Sequence, residues 1–299
     1  MDIEVAIIGG GPAGLSAALV LGRCRRKTLV FDDGRYRNAY STSMHGFLTR
    51  DGIDPKELRK IAREQLQNYP TVSINETCVQ EVARLKKGFS LLLQTGEKIE
   101  CRKLLLTTGL VDFWPKIKGA EPLYGKGVFH CPICDGYEVC DQPLALLGKG
   151  DKAGSAAIEL KIWSSDVIFC TDGPGELSQK CLDKLARHHI PLYEDKIVTL
   201  TSKDNKLEAI VFEEGKIVPR AAIFFNAPCL QRSDLAKQLS CEFDEDGGVK
   251  TNKYEATSVP GLFVAGDTSR DVFQAIVGAG EGSAAAVAIN MSLAAEDFT

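Results

Sequence analysis

The sequence predicts an α/β protein with two domains of one plan, the second inserted within the first. Three observations carry this. An apolar stretch runs into the turn Gly9-Gly10-Gly11-Pro12-Ala13-Gly14. The same order of strand, glycine turn and helix returns from Leu144 onward. A late strand-like piece, Val259-Pro260-Gly261-Leu262-Phe263-Val264-Ala265-Gly266-Asp267, supplies what the first copy lacks. Together they describe two Rossmann-like, three-layer ββα nucleotide-binding domains.

The elements follow in order. Residues 3–8 form a short apolar run, as a buried parallel strand does. Residues 15–21 read as the helix after the turn, and Thr28–Phe31 as a parallel strand ending at Asp32 and Asp33. Residues 77–109 alternate polar and apolar through turns at Lys87-Gly88 and Thr95-Gly96, which marks an antiparallel layer. In the second copy, Leu144–Leu147 is the strand and Gly148-Lys149-Gly150-Asp151-Lys152-Ala153 the turn. Residues 154–163 are the helix and Val167–Cys170 the next strand. Residues 196–226 repeat the antiparallel layer, and residues 273–289 form the closing helix. The expected division is 1–112 with 235–299 as the first domain, 118–230 as the second, and 113–117 and 231–234 as hinges. Pro115, Gly119 and Pro228 suit short, defined connectors.

Composition bounds the function. The chain has 299 residues, 44% of them hydrophobic, and a net charge of −4. That suffices for two domains and offers no basic surplus for nucleic acid. No apolar run is expected to cross a membrane and no leader is read at Met1, so the expectation is a cytoplasmic protein. Of the ten cysteines, Cys24, Cys78, Cys101, Cys170, Cys181, Cys229 and Cys241 read as buried, inert thiols. Cys131 and Cys134 alone have motif spacing. A zinc site at this pair would need further ligands, and only Cys140 and His130 stand nearby, so no metal is expected.

The first turn keeps Gly9-x-Gly11-x-x-Gly14 between a strand and a helix, with acidic residues at the end of the next strand. The glycines permit the tight turn, the approach of a pyrophosphate and helix–strand packing. The helix start presents amides to the phosphates, and Asp32 or Asp33 suits a ribose hydroxyl. Gly266-Asp267 lies just past a strand at the same sheet edge, suited to a ribityl hydroxyl. Helix packing alone is the competing account for all these small residues. The second turn keeps Gly148-x-Gly150-x-x-Ala153. Its following strand ends at Thr171-Asp172-Gly173 with no arginine between Val167 and Leu177, so nothing there would hold a 2′-phosphate. Asp172 fits NADH better than NADPH, and a loop retained only for folding is the alternative.

Cys131-Pro132-Ile133-Cys134-Asp135-Gly136 sits between the two turns. Cys-x-x-Cys at a helix start lowers a thiolate pKa, and Pro132 suits the first helical turn. Asp135 is placed to move a proton to or from a thiol. His130 is as readily structural as catalytic.

At this point the chain resembles the low-molecular-weight thioredoxin reductase family of flavoproteins over its whole length. The matching pieces are the first glycine turn, Thr107-Thr108-Gly109, the Cys131–Gly136 segment and Gly261–Asp267. Phe273-Gln274-Ala275-Ile276 and Gly280-Glu281-Gly282 match too. Arg37-Asn38, His45-Gly46-Phe47-Leu48-Thr49-Arg50-Asp51-Gly52 and Ile162-Trp163-Ser164-Ser165-Asp166-Val167 are similar to a divergent branch. That branch includes the gliotoxin and holomycin dithiol oxidases, and lies near NAD(P)H-independent, ferredoxin-linked or diflavin-linked disulfide oxidoreductases. The resemblance implies a homodimeric, flavin-dependent disulfide oxidoreductase with a redox-active Cys131–Cys134 disulfide. FAD would be bound in the first domain by Gly9, Gly11, Pro12, Ala13, Gly14, Asp32, Asp33, Arg37, Asn38, His45, Thr108, Gly109, Gly266, Asp267, Gln274 and Ala275. Cys134 would face the flavin, Cys131 would exchange with substrate and Asp135 would be the acid/base. In the two dithiol oxidases that last position is often histidine. A second nucleotide would meet Gly148, Gly150, Ala153 and Asp172. The family's mechanism implies rotation of one domain against the other. The substrate is expected to be a thioredoxin-like protein or a small dithiol or disulfide. The electron donor or acceptor is open among NADH, NADPH, ferredoxin, a second flavin and oxygen.

Overall fold

The chain's computed structural model describes residues 2–113, 115–225, 229–270 and 272–298. It enters as β1 (Ile3–Ile8), turns into α1 (Pro12–Arg23) and returns as β2 (Thr28–Phe31). After α2 (Pro55–Leu66) come β3 (Val72–Asn75), the antiparallel β4 (Val79–Arg84), β5 (Phe89–Leu93) and β6 (Lys98–Leu106), then the short β7 (Leu110–Asp112). The middle of the chain holds β8 (Val128–Phe129), α3 (Pro132–Asp135), β9 (Leu144–Leu147), α4 (Gly150–Glu159), β10 (Val167–Cys170), α5 (Gln179–Arg187) and β11 (Leu192–Tyr193). It continues through β12 (Ile197–Lys203), β13 (Lys206–Phe212), β14 (Ile217–Pro219) and β15 (Ala222–Phe225). The return is β16 (Cys229–Gln231), α6 (Leu235–Gln238), β17 (Leu262–Val264) and α7 (Ala275–Asp297).

Two compact units result: Met1–Ala39, Gly46–Val111 and Cys229–Thr299 form one, Tyr40–His45 and Asp112–Pro228 the other. Residues 40–45 therefore group with the second unit, which a division in sequence order does not anticipate. Trp114 of the first expected hinge and the connector residue Pro228 lie outside the described residues.

In the first unit, β3, β2, β1 and β6 run parallel side by side. The far edge of β6 is shared: its first half pairs antiparallel with β5 and its last residues pair parallel with β17. Successive residues of β1 point to opposite faces. Val5 and Ile7 pack with Ala17, Ala18 and Leu21 of α1 and with Ala285, Ala286 and Ile289 of α7. Ala6 and Ile8 pack with Phe89, Leu91 and Leu93 of the antiparallel layer. The strand is thus buried on both faces, which explains its unbroken apolar sequence.

The second unit repeats this. Its parallel sheet has the order β11-β10-β9-β15-β8. Leu144, Leu146 and Phe169 face Ala153, Ala157 and Leu185 of the helices. Ala145, Leu147 and Ile168 face Ile197, Ile210 and Phe212. The antiparallel layer here is a separate sheet, β12-β13-β14. In the first unit β6 runs through both layers without a break. In the second, Pro219 ends β14, and a residue with no N–H cannot extend the ladder.

Three expectations change. α1 and α4 start at Pro12 and Gly150, earlier than residues 15 and 154, because the turn residues already belong to the helix. Cys24, Cys78 and Cys229 are half-buried rather than buried; Cys24 caps the end of α1 and Cys78 lies 3.8 Å from Arg35. α7 has 23 residues and is apolar enough to cross a membrane by length and composition, contrary to the expectation of no such run. Its apolarity serves the core instead, through Ala285, Ala286, Ile289 and Leu293.

α7 carries a paired test of close packing. A methyl on Gly282 would lie 2.0 Å from the Ala13 carbonyl oxygen, whereas one on Gly280 meets nothing within 4 Å. In a circular-dichroism melt, Gly282→Ala should lower the midpoint by several degrees. Gly280→Ala should leave it unchanged or raise it, since alanine favours a helix by up to about 1 kcal/mol over glycine. Equal effects of the two would contradict the packing.

Candidate functional site

The first glycine turn divides its glycines by role. Gly9 has φ 120°, and a Cβ there would lie 2.2 Å from the Thr107 carbonyl oxygen. A Cβ on Gly14 would fall 1.9 Å from the Gly9 carbonyl, and one on Gly10 would fall 2.0 Å from the Asp32 carboxylate. These positions demand glycine for packing alone. Gly11 differs, because a Cβ there meets nothing within 4 Å. It faces an open cradle beside the start of α1. That helix begins at Pro12 with no side-chain cap and no acidic residue in its first turn, so an anion suits its N-terminus. Thr107 Oγ1 ties the turn down by donating to the carbonyls of Ile8 at 3.1 Å and Gly9 at 2.9 Å.

Around this cradle the chain collects polar groups. Asp32 is buried and accepts from the Gly34 amide at 3.1 Å, the Tyr36 hydroxyl at 2.6 Å and Arg63 at 2.6 Å. Asp33 instead pairs with Arg35. Arg37 donates to Asp267 at 2.9 Å and covers the Phe273 ring at 4.6 Å. Asn38 accepts from Arg59 at 3.1 Å. Thr108 and Gly109 both meet Thr268, with the Gly109 amide donating to its Oγ1 at 2.8 Å. The Gly266 amide donates to Glu281 at 2.8 Å, and Arg270 joins Glu281 to Glu255. α7 opens at Ala275 with Gln274 as its N-cap residue, again without a side-chain cap or a first-turn acid. Two helix starts suited to anions, an open side at Gly11 and carboxylates at Asp32 and Asp267 fit a dinucleotide of the FAD type. Sequence reasoning missed Arg63, Tyr36, Thr268 and Arg270. Thr107 and Glu281 stood in matched pieces without a role.

The cysteine pair lies in the second unit. Cys131 precedes α3 in extended backbone and is disulfide-bonded to Cys134, with the Cα atoms 5.2 Å apart. The Cys134 amide donates to Cys131 Sγ at 3.2 Å, and Pro132 opens the helix. Behind the pair, a Cβ on Gly136 would lie 2.9 Å from the Trp163 indole and 2.5 Å from the Pro132 carbonyl. Glycine there lets the motif rest on the ring. His130 is held by the Tyr124 hydroxyl at 2.7 Å and stacks on its ring, which is a structural placement. Ile133 and Tyr137 are exposed beside the disulfide.

Asp135 follows Cys134 directly and is partly buried. Burial pushes its carboxyl up to about 6; Glu138 acts in the same direction and His45 opposes it. His45, expected among the FAD-binding residues of the first domain, groups instead with the second unit. Its Nε2 lies 3.1 Å from Ser43 Oγ and 3.3 Å from Glu138. By contrast, burial drives the Cys101 and Cys170 thiols up to about 12, which keeps them unreactive.

The second glycine turn shares one bond with the first: Gly148 donates to the Cys170 carbonyl at 3.0 Å, as Gly9 does to the Phe31 carbonyl at 2.8 Å. Ala153 is fully buried. The turn differs at the helix start. The Gly150 amide, at the start of α4, donates to the Gly175 carbonyl at 2.9 Å. Asp151 occupies the first turn and accepts from the Ser178 amide at 2.9 Å and its hydroxyl at 2.5 Å. Asp172 has φ 49° and accepts from the Ile197 amide at 2.8 Å. The chain's own backbone thus takes up groups that a nucleotide would use.

The comparisons agree with this geometry. The profile of the pyridine nucleotide-disulphide oxidoreductases matches residues 3–289. A probable thioredoxin reductase of Arthroderma benhamiae is 33% identical over 90% of this chain and 74% of its own length. A putative thioredoxin reductase TrxB from Bacillus anthracis superposes with a TM-score of 0.94 at 34% identity, covering 99% of this chain and all of the other. HlmI superposes with a TM-score of 0.94 at 36% identity, covering 99% of this chain and 94% of the other.

The raised carboxyl makes a prediction for stability. Asp135 ionises at about 6 in the folded chain against an ordinary 3.8, so the native state holds its proton more tightly than the unfolded one. The resulting penalty is absent below the ordinary value and complete above the folded one. Asp135→Asn should therefore raise the stability above about pH 7, by at most roughly 3 kcal/mol, read as a higher melting temperature. The gain should shrink through pH 6 and vanish near pH 4. A gain that does not change with pH would contradict it.

Proposed function

The chain belongs to the pyridine nucleotide-disulphide oxidoreductase family, and we propose that its substrate exchanges at Cys131 and that Asp135 moves the proton. The protein is a flavin-dependent disulfide oxidoreductase of thioredoxin reductase type, and its cofactor is FAD. The observation that carries the reading is the Cys131–Cys134 disulfide with a carboxyl of raised pKa directly after it.

In the oxidising direction, the first thiolate of a substrate dithiol attacks Cys131 Sγ. The Cys131–Cys134 bond breaks, a mixed disulfide forms and Cys134 leaves as the thiolate. The second substrate thiol gives its proton to Asp135 and attacks its partner sulfur. The substrate disulfide closes and Cys131 is released, taking a proton from Asp135. Bound FAD would supply the two-electron acceptor by which the Cys131 and Cys134 thiols return to the disulfide. Reduction of a disulfide substrate is the same sequence reversed. Exposed Ile133 and Tyr137 support an apolar or protein-borne thiol substrate, such as a thioredoxin-like protein or a small dithiol.

At the second turn, the lack of arginine between Val167 and Leu177 and the presence of Asp172 and Glu176 disfavour NADPH. NADH is the pyridine nucleotide that suits it better. A second reading dispenses with pyridine nucleotide, and the Gly150–Gly175 hydrogen bond favours it. An electron protein such as ferredoxin, a second flavin or oxygen would then stand at the other end of the path. Eight free thiols among the described residues suit the reducing cytoplasm. Exposed Val287 and Met291 on α7 suit a homodimer contact.

The test is anaerobic mixing of the flavin-loaded protein with dithiothreitol, NADH or NADPH, watching the flavin band. Dithiothreitol should bleach it, Cys134→Ser should abolish that bleaching, and micromolar NADPH should leave it intact. Bleaching that survives Cys134→Ser would overturn the thiol route. Rapid bleaching by NADPH would overturn the account of the second turn.

A further inference from the structure

The proposed route uses Asp135 and leaves two titratable neighbours without a task. Glu138 lies on the short helical turn Tyr137–Val139, three residues after Asp135. At that spacing two side chains share one side of a tight helical stretch. His45 arrives from a distant part of the chain. Residues 40–45 leave the connection between β2 and α2 and group with the second unit. Tyr40 sets its ring edge-on to Tyr124, with the centroids 5.5 Å apart. A Cβ on Gly125 would lie 2.6 Å from the Tyr40 carbonyl, so this glycine admits the segment. Ser43 then holds His45 Nε2 at 3.1 Å, and the same nitrogen lies 3.3 Å from Glu138.

We propose that His45 and Glu138, paired at 3.3 Å beside the disulfide helix, form a positioning pair for Asp135 that sets the pH at which it exchanges a proton with the substrate thiol. The proposal rests on the reading of Asp135 as acid/base. Glu138 holds the proton on Asp135 and His45 draws it off. His130, directly before Cys131 in the chain, is engaged by Tyr124. The pair is partly exposed, with side-chain accessibilities of 24% for His45 and 37% for Glu138. Such a pair contributes little to stability, so bracing the fold is a weak reason for bringing residues 40–45 here. It does leave Asp135 next to groups in contact with solvent, where a proton can depart.

The experiment is the rate of flavin bleaching by excess dithiothreitol in the flavin-loaded protein, followed from about pH 5 to about pH 8. Each variant is expressed as a ratio to wild type at every pH, which cancels the ionisation of dithiothreitol itself. His45→Gln should move the acid limb up by about 0.5–1 pH unit, and Glu138→Gln should move it down by a similar amount. Below the limb this reads as roughly 3- to 10-fold slower and faster bleaching, respectively. Flavin content and melting temperature, measured alongside, should stay close to wild type. Limbs that coincide with wild type, or that move in the same direction, would overturn the pairing while leaving the thiol route intact. Absence of bleaching in wild type, or its survival in Cys134→Ser, would remove the thiol route and the pairing with it.

Discussion

The first turn of α1 is held at a range that no side chain could share, and the flavin half of the molecule depends on it. Gly9 lies against Thr107, Gly14 against Gly9, and Gly282 of α7 against the Ala13 carbonyl. Gly266 closes on the Ala13 methyl. These contacts bring the ends of β1, β6 and β17 and the starts of α1 and α7 to one place. The hydrogen bonds of Thr107 then fix the turn. Of this glycine cluster, Gly11 alone is left open. Packing therefore explains Gly9, Gly14, Gly266 and Gly282, and the open side at Gly11 is where the proposed dinucleotide has room.

The internal repeat sharpens the contrast. Both units bury a parallel sheet between helices and an antiparallel layer, and both begin a helix at a glycine turn. In the first, the helix start has no acid and no side-chain cap. In the second, Asp151 stands in the first turn and the Gly175 carbonyl is already bonded to the Gly150 amide. One copy keeps a charge pattern suited to phosphate, while the other has turned the Gly150 amide inward. The cysteine pair rides on the second copy, seated on Trp163 through Gly136.

What was legible in the sequence follows from how local each feature is. The strands Ile3–Ile8, Thr28–Phe31, Leu144–Leu147 and Val167–Cys170 were readable because burial on both faces leaves an apolar run between turn residues. α2 had a local signal that went unread: Asp54 before Pro55, whose carboxylate accepts from the Lys56 amide at 2.6 Å. Asp172 was read through its charge, yet its carboxylate serves the Ile197 amide. Arg63 on Asp32 and His45 beside Glu138 join residues far apart in sequence. Such partners have no local signature, since only the packing of whole elements brings them together.

The central claim is that one chain carries two coupled redox centres, FAD and the Cys131–Cys134 disulfide. An anaerobic titration of the purified flavoprotein with dithionite measures this most directly. Each centre takes up an electron pair, so the account predicts consumption of about four electrons per bound flavin, falling to about two in Cys131→Ser. Uptake of about two electrons by the wild-type protein, with the flavin fully reduced, would contradict it.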